Sequence, residues 1–270
     1  MISDISIGQY FPGNSFLHKM DPRMKIVLIL LFMVSIFIGK NYFCLGLVFA
    51  VTLISVLASR ISIKSILKSL KPLIIIILFT GLLNLFYGSG EPLVQFWIFK
   101  ITADGINKAV FMASRIIMLV VVGSMLTYTT TPTALTDAME SLMKPLKVFK
   151  VDVHSIAMTM TIALRFIPTL TEEVDKIMSA QKSRGADLES GGLVKRAKAI
   201  VPIIIPLFIS SFRRANELAY AMECRCYRGG DGRTKMKVMS MHPRDYVCAV
   251  IFVLYFAGII IINHFAGAVI

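Results

Sequence analysis

Residues 153–185 read VHSIAMTMTIALRFIPTLTEEVDKIMSAQKSRG and carry the most regular hydrophobic pattern of the chain. Apolar side chains recur there at alternating steps of four and three residues, which predicts one long helix with a packing stripe along one face. Pro168 predicts a kink near Leu164. Arg184 continues the stripe beyond its apolar end, and Gly185 is typical of a helix C-terminus. The stripe consists of Ile156, Met160, Ala163, Ile167, Leu170, Val174 and Ile177.

A second amphipathic helix is predicted to end at Cys224-Arg225-Cys226. Arg225 lies one residue off its apolar stripe, so the two helix ends are similar rather than identical. The preceding run VPIIIPLFI, residues 201–209, contains two prolines and is too short to cross a bilayer, so we expect an embedded or re-entrant segment there. The stripe consists of Phe208, Phe212, Ala215, Ala219 and Met222.

Both predicted helices end in an arginine between small residues, Ser183-Arg184-Gly185 and Cys224-Arg225-Cys226. One explanation is structural, because the helix macrodipole stabilises a cation at a C-terminus by about 0.3 to 1 kcal/mol. The other is functional, with two docking points for related soluble partners. The repetition of stripe, arginine and glycines favours docking. A zinc or redox pair at Cys224 and Cys226 is disfavoured, because there is no second cysteine pair and the four histidines are scattered.

The composition identifies an integral membrane protein. Apolar residues make up 56% of the 270 positions, the mean hydropathy is +0.73, and the apolar residues are grouped in runs. The net charge of +13 is compatible with nucleic acid, anionic lipid or acidic protein surfaces as partners. Because the cations lie beside the apolar runs, we assign them to membrane topology and expect no nucleic-acid partner.

The predicted fold is all-α and polytopic, with about five transmembrane helices plus long amphipathic cytoplasmic helices. We expect an N-terminal membrane region at residues 1–128, a cytoplasmic region at 129–245 and a C-terminal transmembrane helix at 246–270. The first two apolar runs fit a helical hairpin turning at Gly39 to Asn41, or alternatively one long tilted helix. The runs are Ile26–Ile38, Tyr42–Ala58, Leu73–Gly88, Ile106–Tyr128 and Tyr246–His264.

Charged and aromatic residues near these runs predict the orientation. Most lysines and arginines fall on one side, so the positive-inside rule places the N-terminus and residues 129–245 in the cytoplasm and the C-terminus outside. Residues 89–105, with Trp97, are expected to form a strand or loop at the opposite interface. Arg115 lies within the fourth run and is expected to snorkel or to contact a backbone carbonyl. One side of a surface helix is predicted to carry Arg60, Lys64, Lys68 and Lys71.

The chain lacks the motifs of the commonest catalytic sites. It has no phosphate-binding loop, no paired-histidine zinc motif and no nucleophile elbow, so we expect it to be no enzyme and to hydrolyse no nucleotide itself. A self-sufficient permease or channel is the alternative function. It would need a polar pathway, and the predicted crossings offer little beyond Asn84, Arg115 and a few hydroxyls. A membrane enzyme is a third class, although no carboxylate or histidine cluster lies at the bilayer edge.

The sequence resembles the transmembrane T component, EcfT, of energy-coupling-factor (ECF) transporters, the vitamin-importing branch of the ATP-binding-cassette systems. The resemblance covers most of the chain and is strongest in PLKVFKVDVHSIAMTMTIALRFIPTLTEEVDKIMSAQKSRGAD, residues 145–187, and in RRANELAYAMECRCYRGGDGRT, residues 213–234. The family signature is a pair of X-Arg-X motifs, usually flanked by alanine or glycine. Here they correspond to Ser183-Arg184-Gly185, which departs mildly at Ser183, and to Cys224-Arg225-Cys226, which has cysteine on both sides.

The resemblance implies a non-catalytic coupling subunit. The two long helices would cross in the cytoplasm and insert Arg184 and Arg225 into grooves of two ATP-binding-cassette ATPases, which are expected to be different subunits. A separate membrane S component would bind the vitamin or micronutrient and rest on the apolar faces of the membrane and coupling helices. ATP and Mg²⁺ would be used by the ATPases, and this chain would bind no cofactor or metal directly. Because Arg225 is off its stripe, we expect the two arginines to differ in sensitivity to mutation.

Overall fold

The computed structural model describes residues 10–86, 92–96, 99–186, 192–230, 232, 234 and 238–265. The chain divides into two units. The membrane unit combines Gly8–Ala138 with Lys237–Ile270, and the two-helix unit comprises Met139–Met236. Trp97, whose position at a membrane interface is predicted above, lies outside the described residues.

The described residues are almost entirely helical, which confirms the all-α class. A short antiparallel hairpin pairs β1 (Pro92–Phe96) with β2 (Phe99–Thr102), at the place where a strand or loop is predicted. The helices are α1 (Pro22–Ile38), α2 (Tyr42–Ser59), α3 (Ile63–Leu70), α4 (Ile74–Phe86), α5 (Ala103–Thr129), α6 (Pro132–Met143), α7 (Val153–Ser183), α8 (Leu193–Cys224) and α9 (Pro243–Phe265).

Six helical stretches in the described residues are long and apolar enough, by length and composition, to cross a membrane. Four of them correspond to predicted crossings: α2, the stretch Ile63–Phe86, α5 and α9. The first predicted crossing is α1, which has 17 residues. The remaining two are α7 and the part of α8 from Lys198, which are the least apolar of the six. The chain is therefore a multi-pass membrane protein.

The first two apolar runs form a hairpin rather than one tilted helix. Helix α1 ends at Ile38 and α2 begins at Tyr42, with the turn between them. Arg115 of α5 donates from Nη2 to the carbonyl oxygen of Gly39 over 2.8 Å, and its guanidinium lies 4.9 Å from the centre of the Phe111 ring. This confirms the predicted backbone-carbonyl contact, because the carbonyl at the end of α1 has no helical donor and supplies the partner that Arg115 needs.

The core of the membrane unit forms where α9 packs against α1 and α2, while α5 packs against the same two helices. Chain segments at the two ends of the sequence therefore share one hydrophobic core. Since α9 returns to α1 and α2, the membrane unit is assembled from two parts of the chain. Its central buried side chains are Phe32, Ile36, Cys44, Val48, Met118, Val122 and Ile259.

A buried polar cluster joins α1, α5 and α9 at one end of this unit. The Asp245 carboxylate accepts the backbone N–H of Asp21 at 3.0 Å and that of His242 at 2.9 Å. Lys25, which is 3% exposed, donates from Nζ to the Thr130 hydroxyl at 2.8 Å. Asp245 lies close enough to stabilise the Lys25 charge. A buried charge needs such partners, because its desolvation is otherwise costly.

In the two-helix unit, α7 stays helical across Pro168, and α8 stays helical across Pro202 and Pro206. Residues 201–209, for which an embedded or re-entrant segment is predicted, are part of the continuous helix α8, so the re-entrant alternative is wrong, whereas embedding in the membrane stays a prediction. Pro206 has no N–H to donate to the carbonyl of Pro202 four residues earlier. The Gln181 side chain of α7 donates to that carbonyl at 3.3 Å. A neighbouring helix thus supplies the hydrogen bond that the proline removes.

Candidate functional site

The first predicted docking motif is the capped end of α7. Ser183 is its last helical residue, and Arg184 is the C-cap residue. Gly185 has a φ of +85°, its N–H bonds to the Lys182 carbonyl at 3.0 Å, and the Ala186 N–H bonds to the Gln181 carbonyl at 3.0 Å. This pair of bonds around a left-handed residue is a Schellman motif. The arginine is therefore held at the tip of the helix, where its side chain is exposed.

The second motif has the same backbone construction. Arg225 is the C-cap residue of α8. Cys226 has a φ of +55° and bonds through its N–H to the Glu223 carbonyl at 2.8 Å, while the Tyr227 N–H bonds to the Met222 carbonyl at 3.0 Å. Arg225 is exposed, as Arg184 is. Each predicted three-residue motif is thus a small residue, a C-cap arginine and a left-handed residue, and the left-handed conformation of Cys226 is the part that the sequence did not predict.

The predicted stripe of α8 is wrong in register. Phe208, Phe212, Ala215 and Ala219 are exposed, although Met222 is half-buried. Arg225 lies three residues beyond Met222 and so continues the stripe of buried and half-buried side chains on α8. The expected offset of Arg225 from the packing stripe is therefore not present. The side chains buried or half-buried at this spacing are Ile203, Leu207, Ser210, Arg214, Leu218 and Met222.

Helices α7 and α8 are joined by polar bonds between facing side chains. Arg214 donates from Nη2 to the Glu173 carboxylate at 2.6 Å, and this pair was not identified from the sequence. Together with the bond from Gln181 to Pro202, it shows that the two helices run antiparallel where they pack, since higher numbers on α7 meet lower numbers on α8. Side-chain hydrogen bonds therefore join the two helices at two positions along their length.

The first turn of α7 lies beside the segment that follows α8. The Ser155 hydroxyl and N–H hydrogen-bond to the Asp152 carboxylate and hold its pKa below the usual range. A Cβ atom on Gly230 would lie 2.4 Å from the His154 ring, so only glycine fits there without a shift. The segment after Arg225 thus passes the start of α7, whereas Arg184 caps its end. A helix of this length spans about 46 Å, so the two arginines lie at separate points.

The cysteines of the second motif are free thiols. Cys224 and Cys226 are both exposed. Within the part of the chain that the structure describes, no group of three or more histidine, cysteine, aspartate or glutamate side chains is arranged to hold a metal ion. Both side chains are small and lie next to Arg225 in the sequence.

The left-handed residue is Gly185 in one motif and Cys226 in the other, so we expect the two helix ends to differ in stability. Thermal unfolding of the protein measures this difference. Cys226→Gly should stabilise its helix end by about 1 kcal/mol, because a side chain in the left-handed region costs about 1 to 2 kcal/mol. Gly185→Ala should destabilise the other end by a similar amount for the same reason. Gly46→Ala is the control, because Gly46 lies inside α2 with open space around an added Cβ atom, so alanine should not destabilise the protein there. An unchanged stability in both variants would contradict the assigned cap geometry.

The comparisons with known proteins identify the family. The model of the CbiQ family, described as cobalt transport protein, matches residues 13–236. The chain is 52% identical over 264 residues to the energy-coupling factor transporter transmembrane protein EcfT of Ruminiclostridium cellulolyticum, covering 98% of this chain and 99% of that one. It is 52% identical over 260 residues to the protein of that name from Clostridium kluyveri, covering 94% and 96% of the two chains.

A third relative of the same name, from Acidaminococcus fermentans, is 46% identical over 256 residues, covering 95% of this chain and 96% of its own. These similarities extend over the membrane unit as well as the two arginine motifs. They confirm the family predicted from the sequence and support a role in transport. The chain therefore belongs to the EcfT family of energy-coupling factor transporter transmembrane proteins, within the CbiQ cobalt transport family.

Proposed function

We propose that this chain is the non-catalytic coupling subunit of an ATP-driven importer for vitamins or related micronutrients. It transmits movement from two ATP-binding-cassette ATPases to a separate membrane S component that binds the substrate. The ATPases use ATP and Mg²⁺, and this chain binds neither directly. The names of the relatives support the transporter role, and the geometry of α7 and α8 supports the coupling role.

The observation that carries the proposal is the pair of matching helix ends. Arg184 and Arg225 are both exposed C-cap residues of Schellman motifs on two helices that are bonded to each other. An exposed arginine at a rigid helix tip can enter a groove and form bidentate hydrogen bonds to carboxylates. Two such tips separated by the length of α7 support two ATPases rather than one. The motif residues are Ser183, Arg184, Gly185, Cys224, Arg225 and Cys226.

The exposed face of α8 supports contact with a membrane partner. Ile204, Ile205, Phe208 and Phe212 are between 53% and 61% exposed and lie along one side of the helix. A continuous apolar face of this size is typical of an interface or of contact with lipid. We assign it to the S component, which would then move when α8 moves. In this arrangement the N-terminus and both coupling helices are cytoplasmic, and the C-terminus is outside.

Purification of the intact complex tests the proposal. The full-length chain, tagged and expressed at its natural level, should co-purify from membranes with two ATP-binding-cassette ATPases and a small membrane protein, which mass spectrometry identifies. The complex should hydrolyse ATP, and the chain purified alone should not. Isolation of the chain without any ATPase would contradict the proposal. Solute transport by vesicles that contain only this chain would instead support the alternative function, a self-sufficient permease or channel.

A further inference from the structure

The proposed coupling role assigns no function to the cationic residues after α2, which are Arg60, Lys64, Lys68 and Lys71. Arg60 has a φ of +54°, which the tight turn between α2 and α3 requires. It lines a cavity of about 220 Å³ whose polar side chains include Asn14, Ser15, His18, Ser62 and Ser65, beside the apolar Phe11, Pro12 and Ile61. No carboxylate among the described residues lines this cavity. The Ser62 side chain makes no capping bond to α3, so its hydroxyl is available as a donor. This composition suits a phosphate group.

An apolar crevice of about 320 Å³ lies in the same unit, between α1, α2, α5 and α9. Its floor includes the buried side chains of Phe32, Val121 and Met125, while Ile54 and Ile251 on its rim are 63% and 60% exposed. The crevice therefore opens on the outer surface of helices that cross the membrane. Most of its lining is apolar, and at that depth a hydrocarbon chain of a lipid is available to fill it.

The two spaces adjoin at two separate places in the chain. Phe16 and Leu17 line the crevice, while Ser15 and His18 on either side of them line the polar cavity. Ala58 lines the crevice, and the next residues, Ser59 and Arg60, line the cavity. The lining residues of the two spaces are therefore chain neighbours at both places, so the apolar crevice and the cavity at Arg60 lie close together at the end of α2.

We propose that the two spaces form one binding site for an anionic phospholipid. One acyl chain lies in the crevice, and the phosphate lies in the cavity, where Arg60 and the hydroxyls of Ser62 and Ser65 donate hydrogen bonds to it. Charge complementarity selects this occupant, because Arg60 is a fixed cation and the cavity has no opposing carboxylate among its lining residues. Basic residues at a membrane surface attract anionic lipids in general, and the position of Arg60 at the cavity distinguishes this site from that general attraction.

Lipid binding to the full-length protein, stripped of lipid in detergent, tests the site by native mass spectrometry. The wild-type protein should bind phosphatidylglycerol more tightly than phosphatidylcholine with the same acyl chains. Arg60→Asn should weaken phosphatidylglycerol binding about tenfold, since it removes the charge-assisted bonds while asparagine tolerates the left-handed backbone. Ala58→Phe should weaken it similarly by filling the crevice, and Ser55→Leu provides a second filling variant.

Matched controls separate a specific site from general attraction to the surface. Lys68→Gln removes an equal charge outside the cavity, and Leu57→Phe adds volume on an exposed position outside the crevice, so both should bind lipid as the wild type does. Equal losses from Lys68→Gln and Arg60→Asn, or wild-type binding by both filling variants, would overturn the proposal. Complete displacement of the lipid by millimolar inorganic phosphate would show that the site takes phosphate without the chain, which also overturns it.

Discussion

Replacement of both Arg184 and Arg225 by alanine is expected to abolish co-purification of the ATPases while the protein remains inserted in the membrane. An arginine that is desolvated in a partner groove can contribute 2 kcal/mol or more to binding, roughly a thirtyfold change in affinity for each site. The side chains are exposed at helix ends, so their loss should leave the fold intact. Affinity purification followed by quantification of the ATPases provides the measurement.

Two controls test whether the effect is specific to the helix tips. Arg165→Ala on α7 and Arg213→Ala on α8 also remove exposed cations, and we expect near wild-type ATPase recovery from that pair. Lysine at positions 184 and 225 should fail to restore binding, because an ammonium group cannot form the bidentate pattern of a guanidinium. Wild-type recovery of the ATPases with the double alanine variant would eliminate the proposed docking role.

The two single variants should still differ in their effects. The expected reason, an offset of Arg225 from its stripe, is not supported by the structure. The flanking side chains differ instead, with Ser183 and Gly185 at one tip and Cys224 and Cys226 at the other. Different flanks favour different grooves, and we therefore keep the proposal that the ATPase subunits differ. Identical losses from the two single variants would count against it.

Asp245→Ala is expected to destabilise the membrane unit by about 3 kcal/mol, because the variant leaves the buried N–H of Asp21, the part-buried N–H of His242 and the buried Lys25 without their acceptor or counter-charge. The side chain is 1% exposed. Thermal unfolding of the purified protein in detergent should show a clear fall in Tm. The ATPases should still bind at low temperature, since the two-helix unit contains both arginines.

Two further variants complete this test. Asp245→Asn separates the contribution of the charge from that of the hydrogen-bond acceptors, and Glu217→Ala is the control for loss of a carboxylate. Asparagine keeps one carbonyl acceptor and removes the charge, so its effect should lie between the wild type and alanine. Glu217 is an exposed carboxylate on α8, where alanine should change stability by less than about 0.5 kcal/mol. An Asp245→Ala protein as stable as the wild type would show that the buried cluster does not hold α1 and α9 together.

Periodicity predicted most of the packing stripe of α7. Met160, Ile167 and Leu170 are half-buried, as the spacing requires, whereas Ile156 and Ala163 are exposed. Helix α8 is harder to predict, because it carries apolar side chains on two faces. Spacing alone could not decide whether Phe208 or Leu207 meets α7. The pairing of Arg214 with Glu173 marks the covered face, and it depends on a contact between residues far apart in the chain.

The arginine motifs were recognised from their small neighbours, but their geometry was only half predictable. Gly185 signals a left-handed cap because glycine adopts positive φ at little cost. Cys226 gives no such signal, although its backbone adopts the same conformation. The buried cluster around Asp245 was equally hidden, since it joins the first and last helices. Local sequence identifies elements and their ends, while distant contacts decide which faces they bury.

The bond from Gln181 to the Pro202 carbonyl also bears on the order of assembly during synthesis. Helix α7 leaves the ribosome before α8, so the donor is already in place when the proline-containing half of α8 emerges. A peptide limited to residues 193–224 would lack that donor and should fray through its first half in water. We therefore expect the second helix to be stable only beside the first, and an exchange of one without the other between relatives to produce a misassembled pair.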